Sequence, residues 1–224
     1  MNELIIPELD EGENHIFFDY NLSNFDDKVY HAKSNLELTK QLFRKWKIIR
    51  KNETPKEEEL KSLAGDLKEE YYYRSGMDIP FSYIENFIKV NLERGFDREI
   101  LEISFCRKGS DKPDLWLNVM HRYEHNPSHS HIGLFSFVWY LDIPEEIRQE
   151  CYNQKSNGKT RGTIQFDSNR TNIHFNLNPK TADVFIFESG HKHQVYPFYT
   201  DNERYSMAGN VHSITFKDGE TITS

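Results

Sequence analysis

The sequence predicts a mainly β chain, a sandwich, jelly roll or barrel preceded by α-helices. The spacing of apolar residues carries that expectation: helical up to about residue 97, alternating afterwards. Seven runs in the second part alternate as strands do, with Gly, Pro, Asn and Asp between them. Many short strands in series are the mark of a two-sheet or barrel fold.

Taken in order, Ser34-Asn35-Leu36-Glu37 fits a capping box with Ser34 as the cap. Leu38, Leu42, Phe43, Trp46 and Ile49 follow on one helical face. Thr54-Pro55-Lys56-Glu57 opens a second helix with proline at its first position and an apolar stripe of Leu60, Leu63, Leu67 and Tyr71. A third helix is expected from Pro80 to Arg94, burying Ile84, Phe87, Ile88 and Leu92, with Gly95 as its stop. The strands are expected at 99–105, 115–123, 134–141, 162–166, 183–187, 194–198 and 205–216. Between them, the polar stretch 145–161 reads as a long connection, either filler or a loop over a site. Residues 1–97 then form a helical extension packed on a core of residues 98–224, together one compact domain.

Bulk composition narrows the function. A formal net charge of −8 argues against long nucleic acid bound through a general basic surface. Cys106 and Cys151 are too few for a disulfide framework or a four-cysteine zinc site. Met1 to Glu8 lacks the basic and apolar regions of a secretion signal, and no run reaches the roughly 20 apolar residues that span a bilayer. A cytoplasmic protein without a membrane partner is the expectation.

The chemistry lies in the histidines. In an extended backbone, positions i and i+2 face the same way, so His129 and His131 can address one ion. His193, on the return from the apolar run Val184 to Phe187, can join them at the mouth of a jelly roll, with His191 as a competitor at the same spacing. His121-Arg-Tyr-Glu124-His125 matches the H-x-x-E-H pattern of zinc peptidases, but that motif needs a helix and Asn126-Pro127 follows at once. Spacing alone leaves the metal open.

Four segments together sharpen this. Trp116-Leu-Asn118, then Asn126-Pro-Ser-His129-Ser-His131, then Phe187-Glu-Ser-Gly-His-Lys-His193-Gln-Val-Tyr-Pro197, then Arg204-Tyr-Ser206 occur in that order between about residues 115 and 217. The set resembles a bacterial and phage-type branch of the Fe(II)- and 2-oxoglutarate-dependent oxygenases. The resemblance implies a double-stranded β-helix, the cupin-like jelly roll. It implies His129, His131 and His193 as Fe(II) ligands and catalytic residues. Arg204, assisted by Ser206, would bind the distal carboxylate of 2-oxoglutarate, with Asn118 also on the cofactor side. The partners implied are 2-oxoglutarate, O2 and an unidentified substrate, which would be oxidised, usually by hydroxylation, as 2-oxoglutarate is decarboxylated to succinate.

These residue types suit the roles. Imidazole binds iron, and three protein ligands leave positions open for co-substrate and dioxygen. A planar guanidinium matches a carboxylate with paired, charge-assisted bonds. Two positions depart from the pattern: His131 stands where most relatives carry Asp or Glu, and Glu188 stands where the family has proline. Two other readings fit the same residues, a three-histidine cupin-type enzyme that uses no 2-oxoglutarate and a jelly-roll binding module without catalysis.

Overall fold

Alternation along the strands sorts side chains onto the two faces of one six-stranded antiparallel sheet. In a computed structural model that describes residues 29–54, 65, 67–74, 77–155, 158–167 and 174–224, this major sheet runs β1 (Val29–Lys33), β9 (Asp183–Glu188), β6 (Phe135–Asp142), β11 (Arg204–Val211), β4 (Leu115–Met120), β2 (Glu69–Tyr72). Facing it is a four-stranded sheet in the order β5 (Asn126–His129), β10 (His193–Val195), β7 (Ile164–Asp167), β8 (His174–Leu177). A three-stranded sheet, β13 (Thr221–Thr223), β12 (Ser213–Phe216), β3 (Ile100–Ser104), closes one end. The fold is the expected mainly β jelly roll.

Residues 115, 117 and 119 of β4, Trp139 and Leu141 of β6, Val184 and Ile186 of β9, and Tyr205 and Met207 of β11 point away from the second sheet. They meet the helices α1 (Leu36–Asn52) and α2 (Phe81–Phe96), which bury Leu38, Leu42 and Trp46, and Ile84, Phe87 and Leu92 against them. Trp139 keys the layer, its ring 4.6 Å from that of Phe87 and its Nε1–H donating to Thr39 Oγ1 at 3.2 Å. A smaller core, including Met120, Tyr140, Ile164, Phe166, Phe185, Phe187 and Phe198, lies between the two sheets. One face of the major sheet is thus filled by helices, and the other looks inward.

Several local expectations need correction. Asn35, not Ser34, caps α1: its Oδ1 accepts from the backbone N–H of Glu37 at 2.9 Å and Leu38 at 3.2 Å, while Ser34 turns inward to Thr39. Asn35→Ala should therefore cost about 1 kcal/mol in urea unfolding, whereas Ser34 carries no N-cap contribution. Helix α2 runs past Gly95 to Phe96 and stops at Asp97 in the left-handed conformation, φ 53°. Gly95 is small for packing: a Cβ there would lie 2.9 Å from the Tyr30 ring.

Most of the second expected helix lies outside the described residues, but its last apolar position, Tyr71, belongs to strand β2. The stretch 145–161 is not a plain loop, since Glu145–Asn153 forms helix α3, which buries Ile147 and Cys151. Five strands, β1, β2, β5, β8 and β13, add to those expected, and the run 205–216 is two strands that break at His212. No described helix is long and apolar enough to cross a membrane.

Candidate metal and co-substrate site

The inward face of the major sheet is built in rungs that the strand register defines. Tyr72, Trp116, Ala208 and Val138 stand side by side across β2, β4, β11 and β6. The next rung is polar: Glu70, Asn118, Ser206 and Tyr140. Beyond it Arg204 faces Met120. All ten residues line one cavity of about 360 Å³ between the sheets, a size that suits a small ligand. His129, His131 and His193 line its other side.

Pairing between β5 and β10 sets His129 directly opposite His193. His131 lies just beyond β5, its backbone N–H bonded to Ser189 O at 2.8 Å. The ring centroids are 4.3 Å (His129–His193), 5.0 Å (His129–His131) and 5.1 Å (His131–His193) apart, and one nitrogen of each ring lies within 4.8 Å of the other two. His129 Nδ1 donates to Pro127 O at 2.7 Å and His193 Nδ1 to His191 O at 3.1 Å. That pattern leaves each Nε2 lone pair for a metal, the usual way in which outer partners fix a ligand histidine.

Burial lowers the pKa of all three, His131 to about 4, and the neighbouring imidazoles add to the effect at His131 and His193. Three neutral nitrogen donors without a carboxylate suit a first-row transition ion. His191 does not join them. It is buried with its ring 5.6 Å from that of Phe166. His121 and His125 sit in a turn, not on a helix, so the H-x-x-E-H pattern builds no site.

Arg204 is the electrostatic anomaly. Its residue is 3% exposed, and among the described residues no carboxylate pairs with it. Its Nη1 donates to Gly162 O at 2.9 Å and its Nη2 contacts Met120 Sδ at 2.6 Å, while the buried Nε has no partner. Tyr140 and Phe198 flank the guanidinium, with ring centroids 5.8 and 5.9 Å from Cζ. Burial lowers its pKa. A buried cation without a counter-ion is costly, and an anion bound in the cavity would supply one.

Gly162 earns its place here, since its φ of +69° excludes most residues and a Cβ would meet Ile147 Cγ2 at 2.8 Å. Ser206 and Asn118 line the cavity as well. With its amide turned so that Nδ2 faces Glu70, Asn118 is engaged on both sides, donating to Glu70 Oε2 at 2.5 Å and accepting from Trp116 Nε1 at 3.2 Å. Glu70, Tyr72, Met120 and Tyr140 escaped the sequence reading. Tyr140 fell there only within the strand expected at 134–141, with no role at the site.

Residues 114–210 match the family described as "Putative 2OG-Fe(II) oxygenase". Those 97 of 224 residues, which carry the three histidines, Arg204 and Ser206, are what the chain shares with the 2OG-Fe(II) oxygenases. No curated protein sequence matches the chain. Among solved structures, the chain resembles a prolyl-4-hydroxylase of Pseudomonas putida at TM-score 0.56 and 13% identity, covering 85% of this chain and 94% of that one. It also resembles a prolyl hydroxylase from Trichoplax adhaerens, in complex with a hypoxia inducible factor oxygen degradation domain peptide fragment, at TM-score 0.55 and 11% identity, covering 88% and 86%. At such identity the likeness is one of fold. The family uses Fe(II), 2-oxoglutarate and O2.

A second cluster, Glu69, His121 and Glu203, also brings three potential ligand atoms within 4.8 Å. The guanidinium of Arg50 occupies its centre, bonded to both carboxylates, so a cation is already in place there.

Proposed function

We propose that His129, His131 and His193 hold Fe(II), and that Arg204, with Ser206 and Tyr140 beside it, receives the distal carboxylate of 2-oxoglutarate. The observation that carries this reading is Arg204, a buried cation lacking a carboxylate partner among the described residues, in the same cavity as three neutral imidazoles. With the metal, co-substrate and O2 bound, the site supplies oxidative decarboxylation of 2-oxoglutarate to succinate coupled to oxidation of a substrate C–H bond. The protein residues orient and exclude water. Arg204 fixes one end of the co-substrate by charge-assisted bonds, and Phe187 and Ile164 keep the floor of the cavity dry.

Substrate would enter past Tyr72 and the 69%-exposed Ile132, with buried Trp116 forming the aromatic wall behind them. The likeness to prolyl hydroxylases, one of them holding a peptide, supports a peptide-borne ring such as proline as the group oxidised. A three-histidine enzyme working without co-substrate would leave the Arg204 end of the cavity without a purpose.

Anaerobic addition of Fe(II) and 2-oxoglutarate should give a visible charge-transfer band, and a wild-type protein that gives none would sink the assignment. His131 is the informative position to vary. His131→Asp should keep the band, because a carboxylate oxygen can replace the imidazole nitrogen as a ligand and adds one negative charge. His131→Ala should weaken Fe(II) binding at least 10- to 100-fold, more than the loss of an outer partner. An unchanged affinity in His131→Ala would remove this histidine from the ligand set.

A further inference from the structure

The cluster around Arg50 lies behind the site. Arg50, in the last turn of α1, donates Nε and Nη2 to the two oxygens of Glu69, each at 2.7 Å. It donates Nη1 and Nη2 to those of Glu203 at 2.8 and 2.9 Å, and Nη1 also meets Tyr205 Oη. Tyr205 Oη donates to Glu203, Tyr71 Oη donates to Glu69 at 2.8 Å, and His121 Nε2 lies 2.9 Å from Glu69. The bonds from Arg50 and Tyr205 outweigh burial and hold Glu203 down to about 2. Both carboxylates are therefore ionised, and the clamp is fully formed at neutral pH.

The positions of these partners matter more than their number. Glu203 and Tyr205 are the immediate neighbours of Arg204, and Glu69 and Tyr71 are those of Glu70. Successive residues in a strand point to opposite faces, so a clamp on 203 and 205 from the helix side aims Arg204 into the cavity. The strand needs that help at this point. Between Tyr205 and Ser206 the register of β11 against β6 slips, from Asp142 to Tyr140. The extra residue is Leu141 on β6, and at this end of β11 Arg204 pairs only on the β4 side, opposite Met120, so its backbone is held from one edge alone. Among the described residues the Arg204 guanidinium bonds to one carbonyl and one thioether, with the Tyr140 and Phe198 rings beside it.

We propose that Arg50 is a positioning residue for the 2-oxoglutarate site, fixing from behind the sheet the backbone that presents Arg204. The inference rests on the reading of Arg204 as the co-substrate anchor. It separates the two halves of the site. The histidines belong to the opposite sheet and its margin and are held by Pro127 O, His191 O and Ser189 O, none of which Arg50 touches. Loss of Arg50 thus loosens 2-oxoglutarate and spares the metal.

The test is a pair of anaerobic titrations on the full chain, Co(II) into metal-free protein and 2-oxoglutarate into Fe(II)-loaded protein followed by its charge-transfer band. Arg50→Met should weaken 2-oxoglutarate about 10-fold, the scale of lost outer-shell support, with Co(II) affinity within twofold of wild type. Arg50→Lys, which keeps the charge without the paired geometry, should fall between. Tyr205→Phe reads the same contact should Arg50→Met fail to fold. An unchanged 2-oxoglutarate affinity in the folded variants overturns the inference alone. So does a parallel loss of both affinities, which would mark Arg50 as a general structural brace. Wild-type protein that binds no 2-oxoglutarate overturns the reading of Arg204, and this inference with it.

Discussion

His193→Ala should abolish metal binding and turnover while leaving a folded protein. His193 is 5% exposed at the centre of the minor sheet, paired to His129 on one side and Phe166 on the other. Its ring packs against Phe187 at 4.7 Å, so truncation opens a cavity lined by aromatic rings and removes one bond to His191 O. Together these changes cost roughly 2 kcal/mol of stability, which a two-sheet core of this size tolerates. With one of three nitrogens gone, affinity for Fe(II) should fall at least 100-fold, equivalent to about 2.7 kcal/mol. Metal analysis after anaerobic loading and gel filtration should then find substoichiometric iron. His191→Ala is the matched control: it lies two residues away and is also buried, but it keeps the backbone carbonyl that orients His193 and should load iron normally. Iron retained by His193→Ala, or lost by His191→Ala, would reassign the ligand.

The sequence made the inward and outward faces of β4, β6, β9 and β11 legible because both faces of those strands meet a partner, and the alternation between cavity and helix side is written in residue size and polarity. It could not show β5, where Asn126-Pro127-Ser128-His129 has no apolar alternation and becomes a strand only because β10 pairs with it. Nor could it show β1 and β2, short segments whose place at the edges of the major sheet depends on partners more than forty residues away. Helix α3 escaped because Ile147 and Cys151 alone anchor an otherwise polar surface helix. At the site, His129, His131, His193 and Arg204 stood out through motif order. Glu70, Tyr140 and Gly162 did not, since strand register and a loop carbonyl, not spacing, bring them to the cavity. The clamp around Arg50 was invisible for the same reason: its five other members come from two strands, β2 and β11, and from the loop positions His121 and Glu203 beside β4 and β11.

Arg204→Met should raise the stability of the co-substrate-free protein and lose 2-oxoglutarate together. A buried guanidinium costs several kcal/mol of desolvation, and here no carboxylate among the described residues repays it. Against that stands one charged hydrogen bond, to Gly162 O at 2.9 Å, worth about 2 kcal/mol. Met is flexible, close in length and compatible with the neighbouring Met120, Tyr140 and Phe198. The balance favours the variant by roughly 1 kcal/mol, the sign expected where a functional charge is held at the expense of stability. For 2-oxoglutarate the balance reverses, because the carboxylate would be buried without its cation. That loss should cost about 3 kcal/mol, more than a hundredfold in affinity. Thermal unfolding with and without 2-oxoglutarate on Fe(II)-loaded protein reads both effects. Wild-type protein should gain stability on adding 2-oxoglutarate and Arg204→Met should not, although it starts from a higher midpoint without it. A variant still stabilised by 2-oxoglutarate would place the co-substrate elsewhere. A variant less stable than wild type without ligand would mean that Arg204 is a structural residue, balanced by the carbonyl and aromatic rings around it.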